Sequence, residues 1–193
     1  MPASSFSKVL VPVDFSASTD ELVASGLRVE VGELKIEYAS ASAQALEIAA
    51  RTVAETGELR LLHVTPALDQ AAVYSGVARF GLPQSAIDDI HRDATRASIE
   101  VLEHLAGRYC PGTKVSCHAR PGIALDAILE EATSFEADLI VLPASGRNRV
   151  ARFFLGSTAD RVIREARCPV LVIPRAAETD EMRPTGTSPQ RTS

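Results

Sequence analysis

The sequence predicts an α/β domain, an open parallel five-stranded doubly wound sheet with helices on both faces and an inserted β-hairpin. Three observations carry this. Short apolar runs without alternation, as in strands buried on both faces, recur at residues 8–13, 59–64, 139–142 and 170–173. The stretches between them place apolar residues at helical spacing. One early segment, residues 27–38, instead alternates apolar and charged residues.

The elements follow in order. KVLVPV (8–13) is the first core strand, ending at Asp14-Phe15-Ser16. LRVEV (27–31) and LKIEY (34–38) flank Gly32-Glu33, the Gly-X pair of a two-residue II′ turn. The apolar face of this hairpin must rest on something, because a lone hairpin is marginal in water. Residues 41–56 form an alanine-rich helix with Leu46, Ala49, Ala50 and Val53 as its buried stripe and Gly57 as its stop. LRLLHV (59–64) is the second strand, in which His63 reads as a packed or hydrogen-bonded residue. Residues 65–82 are a long connection. A long helix then runs from Pro83 to about Ala106, with a stripe of Ile87, Ile90, Ala94, Ala97, Val101, Leu102 and Leu105. TKVSCHA (113–119) is an edge-side strand, and Pro121-Gly122 turns the chain into a helix over 123–135.

The last block, residues 139–174, reads as strand, loop, helix, strand. Gly156-Ser157-Thr158 opens its helix, with Val162, Ile163 and Ala166 on the apolar side, and Cys168-Pro169 ends it. A glycine and two hydroxyl residues at a helix start leave backbone N–H groups free at the positive end of the helix dipole. Phosphate is the usual occupant of such a site, and a plain helix cap is the alternative. Arg147, Arg149 and Arg152 in the preceding loop would add charge-assisted contacts. Residues 146–167 hold six arginines against Asp160 and Glu165, a net +4 in a chain of net −5. Ion pairs at helical spacing, Asp160 with Arg164 and Arg161 with Glu165, absorb two of the arginines but none in the loop. The ends of strands one and four meet at the switch point of such a sheet, which sets Asp14 opposite the Gly146 loop. Asp14 there reads either as a ligand for a ribose hydroxyl or a metal-bound water, or as a turn aspartate.

Composition bounds the rest. A chain of 193 residues suits one domain, here residues 7–175, followed by a polar, disordered tail over 176–193. The acidic balance argues against a nucleic-acid partner, and no apolar run approaches a membrane span. The N-terminal segment lacks a signal peptide's apolar region, and Cys110, Cys117 and Cys168 are an odd, unpaired set; both point to the cytoplasm. These cysteines, even with His118, fall short of a zinc-ligand set. The sequence holds no P-loop, no dinucleotide GxGxxG and no base beside Ser157 that would make it a nucleophile.

Three blocks, KVLVPVDFS, SAQALEIAARTVAETGELRLLHV and ADLIVLPASGRNRVARFFLGSTADRVIREARCPVLVIP, together resemble a universal stress protein domain. ATP-binding members share a pattern of glycine, two residues, glycine, nine residues and Gly-Ser or Gly-Thr. Gly146, the nine residues after it, and Gly156-Ser157 fit that pattern, whereas Pro143 stands at its first glycine. The resemblance implies a sheet order of 3-2-1-4-5 and a homodimer, often paired through the last strand. It also implies an adenine nucleotide, ATP first, held as a regulatory signal in stress response, with at most weak hydrolysis. Pro12, Val13, Asp14 and Val64 would surround adenine and ribose. Gly146, Arg147, Gly156, Ser157 and Thr158 would hold the phosphates, with magnesium brought in on the nucleotide near Asp14. Pro143 lacks an N–H. Together with the insert over residues 17–40, it keeps open a nucleotide-free protein that acts through protein contacts. The insert itself reads either as a rim, lid or subunit contact, or as a decoration resting on a helix.

Overall fold

Residues with apolar side chains on both sides of an extended backbone must be covered twice, and the chain folds accordingly. The computed structural model describes residues 6–17, 27–65, 84–144 and 156–174. Its elements are β1 (Phe6–Pro12), β2 (Phe15–Ala17), β3 (Leu27–Val31), β4 (Leu34–Tyr38), α1 (Ser40–Thr52), β5 (Val53–Thr65), α2 (Gln84–Tyr109), β6 (Val115–Pro121), α3 (Ala124–Phe135), β7 (Leu139–Pro143), α4 (Ser157–Glu165) and β8 (Val170–Ile173). The main sheet is parallel, in the order β6-β5-β1-β7-β8. Counted along the five core strands this is 3-2-1-4-5, the doubly wound order expected.

Alternation along the strands feeds two cores. Val9 and Val11 of β1, Leu59 and Leu61 of β5 and Val141 of β7 pack against Leu46 and Ala49 of α1 and Val101, Leu102 and Leu105 of α2. Leu10, Leu62, Ile140 and Leu142 face the other way, onto Leu125 and Ile128 of α3 and Ala159 and Val162 of α4. Each fully buried leucine contributes about 1.5–3 kcal/mol. At the far end of the central pair, the Asp138 carboxylate accepts the Ser7 and Lys8 N–H groups at 2.7 and 3.0 Å. The Asp138 N–H returns a bond to the Lys8 carbonyl at 2.9 Å.

The insert is larger than a hairpin. β2, β4 and β3 form a separate antiparallel three-stranded sheet. The turn at Gly32 is as expected, with φ of +59° at the glycine and a negative φ at Glu33, the signs of a II′ turn. The apolar face of the small sheet, Val29, Ile36 and Tyr38, joins the core shared with α1 and α2. Tyr38 also shares a hydroxyl hydrogen bond of 2.8 Å with Tyr109 at the end of α2. The insert's hairpin thus rests on the helices through Val29, Ile36 and Tyr38.

Several boundaries differ from the expectation, each for a physical reason. α1 stops at Thr52, and Val53 starts β5, buried and paired with Phe6, instead of closing the helical stripe. Gly57 is therefore not a helix stop. It lies where the β1–β5 register shifts, and a Cβ there would stand 2.8 Å from the Ser7 carbonyl oxygen. α2 runs on to Tyr109, through Gly107, while Ile90 on its first half is exposed. The third core strand begins at Val115 and extends to Pro121 because it pairs with β5 as far as Thr65. Gly122, at φ +151°, makes the turn, and the next helix starts at Ala124. β8 is an edge strand with Ile173 buried and Leu171 exposed, and Ile163 of α4 is likewise exposed.

Candidate functional site

β1 and β7 point the same way, so their C-terminal ends emerge side by side. There the chain opens a cleft of about 240 Å³. Pro12, Val13 and Asp14 line it from the end of β1, and Leu62, His63 and Val64 from the end of β5. Ala124 and Ile128 of α3, Leu142 and Pro143 of β7, and Gly156 to Ala159 at the start of α4 complete the wall. Seven of the expected site residues thus converge: Pro12, Val13, Asp14, Val64, Gly156, Ser157 and Thr158. Gly146 and Arg147, with Arg149 and Arg152, lie outside the described residues.

Chemically the cleft has two halves. Leu62, Val64, Ile128, Leu142 and Pro143 form an apolar wall suited to a flat, poorly hydrated group. The start of α4 is polar. Gly156 is its N-cap and supplies no side-chain cap, and the first intrahelical amide bond is Asp160 N–H to the Gly156 carbonyl, 3.0 Å. The N–H groups of Ser157, Thr158 and Ala159 precede that bond and point out of the helix end. The expected pairs within α4 form, Arg161 with Glu165 at 3.0 Å and Arg164 with Asp160 at 3.1 Å. These two arginines are thus engaged along the helix, away from its start.

At the other wall, Val13 donates its N–H to the Leu62 carbonyl at 2.8 Å, and Asp14 is exposed. His63 is buried, and its Nδ1 lies 2.8 Å from the Val13 carbonyl. A carbonyl only accepts, so Nδ1 carries the proton. Burial pushes the His63 pKa down against the opposing pulls of that hydrogen bond and of Asp14, keeping the ring neutral. Phe15 stacks on the ring, with centroids 3.8 Å apart and planes at 14°. The expected packed or hydrogen-bonded His63 is both, but its place in the cleft was not expected. The signal was its position one residue before Val64 at a strand's C-terminal end. Among the described residues, no group of three or more His, Cys, Asp or Glu side chains is placed to hold a metal ion. No helix among them is long and apolar enough to cross a membrane.

The universal stress protein family model matches residues 36–174. Universal stress protein MJ0531 of Methanocaldococcus jannaschii is 32% identical over 97 residues, 48% of this chain and 56% of that protein. The matched stretch spans about half the length of that relative. Among solved structures, hypothetical protein PH0823 has a TM-score of 0.56 at 25% identity, over 89% of this chain and 99% of that one. An Arabidopsis thaliana protein of the universal stress family, solved with AMP bound, has a TM-score of 0.50 at 18% identity, over 89% of this chain and 93% of that one. A universal stress protein solved in complex with cAMP also scores 0.50, at 19% identity over 89% of this chain and 98% of that one. The last two likenesses are of fold.

Proposed function

The chain belongs to the universal stress protein family, and from that premise we propose that its cleft binds an adenine nucleotide, ATP foremost, as a regulatory signal in stress response. One observation carries the reading. The end of β1 and the start of α4, far apart in sequence, wall the same cleft, which joins an apolar surface to free helix N–H groups. A purine fits the apolar wall, Asp14 can accept from a ribose hydroxyl, and phosphate suits the helix start. The arginines of the 146–152 stretch, contiguous with that helix start in sequence, favour the triphosphate. Magnesium would arrive with the nucleotide, with Asp14 the nearby carboxylate. AMP and cAMP in the two structures of the same fold support the adenine class. The role proposed is binding, with hydrolysis at most slow. A homodimer paired through β8 fits the exposed Leu171 on that edge strand.

The test is mass spectrometry of small molecules released on denaturing freshly purified protein, with ATP calorimetry on the stripped chain. Stoichiometric nucleotide is expected. Gly156→Val should weaken ATP at least about tenfold, ~1.4 kcal/mol, because a branched side chain blocks approach to the helix start. Retained affinity would remove the phosphate from that position.

A second reading, a nucleotide-free protein acting through protein contacts, is favoured by Pro143. It lines the cleft and offers no N–H where the family pattern has glycine. An empty protein and no heat on titration would select it.

A further inference from the structure

Three consecutive residues wrap around one imidazole. Val13 stays tied to β5 through its N–H, donated to the Leu62 carbonyl. In a continuing parallel ladder its own carbonyl would take a backbone amide from β5. Here that carbonyl takes the His63 ring N–H, at 2.8 Å. The side chain thus stands in for the next rung, and the backbone is free to leave the main sheet. It enters the small sheet at once, and Phe15, the first residue of β2, lies flat on the same ring. Asp14 is held between these two anchors, exposed and on the cleft wall.

The stack is also fixed from outside the cleft. Phe15 is the register partner of Tyr38 on β4. Tyr38 is in turn buried and bonded to Tyr109 of α2. A path of direct contacts therefore joins the insert's anchor on α2 to the residue that presents Asp14.

We propose that His63 and Phe15 are positioning residues that fix the Asp14 carboxylate at the cleft, so that the inserted sheet sets how the cleft holds the sugar of a ribonucleotide. This rests on the adenine-nucleotide reading above. Neither residue needs to touch the nucleotide. Their effect is to spend no ligand-binding energy on ordering the Asp14 backbone, which is already ordered.

The experiment compares ATP with 2′,3′-dideoxy-ATP, which lacks both ribose hydroxyls, by calorimetry on the full chain. The wild-type protein is expected to prefer ATP. His63→Ala and Phe15→Leu should each reduce that preference by about tenfold, the worth of one good hydrogen bond; for Phe15→Leu, which is not in the cleft wall, affinity for the dideoxy nucleotide should change little. His63→Asn, whose amide N–H can reach the Val13 carbonyl, should recover part of it. A merely structural role would weaken both nucleotides alike. That result, an unchanged preference in the variants, or equal wild-type affinity for the two nucleotides would overturn the proposal. Should His63→Ala fail to fold, the half-buried Phe15 variant carries the comparison. If the wild-type protein binds neither nucleotide, the adenine reading fails by itself, and amide exchange at residues 14–17 then decides the positioning role. Faster exchange in His63→Ala with recovery in His63→Asn supports it, and unchanged exchange overturns it.

Discussion

A neutral, buried histidine ties folding to pH. His63 titrates below its ordinary value because burial disfavours its charged form. In the unfolded chain it takes up a proton near pH 6.5, where the folded protein does not. The unfolded state then binds more protons, so stability is complete above about pH 6.5 and falls as the pH drops below it. The loss per pH unit is at most about 1.4 kcal/mol from this one group. Urea midpoints measured between pH 5 and 8 should show the slope, and His63→Asn should flatten it. An equal slope in the variant would mean that His63 does not set it. In sequence, His63 carries no mark beyond its place near a strand end. Its role depends on the Val13 carbonyl, 50 residues away, and on Phe15. Local patterns do not encode such contacts. Asp14, Gly156 and Ser157 were legible because strand ends and helix starts are themselves local features.

Elements were legible where one physical cause set them. The unalternating apolar runs became sheet strands, and Gly32-Glu33 became the turn of the insert. Boundaries moved where tertiary contacts outweighed local preference. Gly57 looks like a helix stop, yet its lack of a side chain serves the close approach of the Ser7 carbonyl. The third strand of the insert, Phe15–Ala17, is too short to show a period and exists because β4 offers it an edge. The insert's anchor gives a prediction at this scale. Tyr38→Phe removes one hydroxyl of the 2.8 Å pair with Tyr109. It should cost about 1 kcal/mol. The loss should appear as faster amide exchange over residues 27–38, with the strands of the main sheet nearly unchanged. Equal protection in both proteins would mean that Val29 and Ile36 hold the insert without the hydroxyl pair.

For the whole molecule, the sheet has two different margins. Among the described residues β6 and β8 are both edges; β6 packs against α2, while β8 packs against α1 and presents Leu171, 39% exposed. An open edge strand invites a second strand. Light scattering is expected to give twice the chain mass for the wild-type protein, and the single mass for Leu171→Asp at the same concentration. An unchanged mass would move the subunit contact elsewhere, the exposed Leu27 and Leu34 of the insert being the next place to look. The fold class was readable because the alternation of strands and helices admits few parallel topologies. That β8 lies at an edge was not readable from its residues, since the apolar run 170–173 reads the same for a strand covered twice as for one left at an edge.

The central place of β1 also sets a timetable for synthesis. Its neighbour β7 is anchored to it through Asp138, which bonds Lys8 across 130 residues of chain. Ribosomes add about 5–20 residues per second, so β1 waits on the order of ten seconds for its second partner to emerge. Through that interval one edge of the nascent strand carries Val9 and Leu10 unpaired. Chains stalled before residue 139 therefore carry an unpaired strand edge that the finished sheet covers.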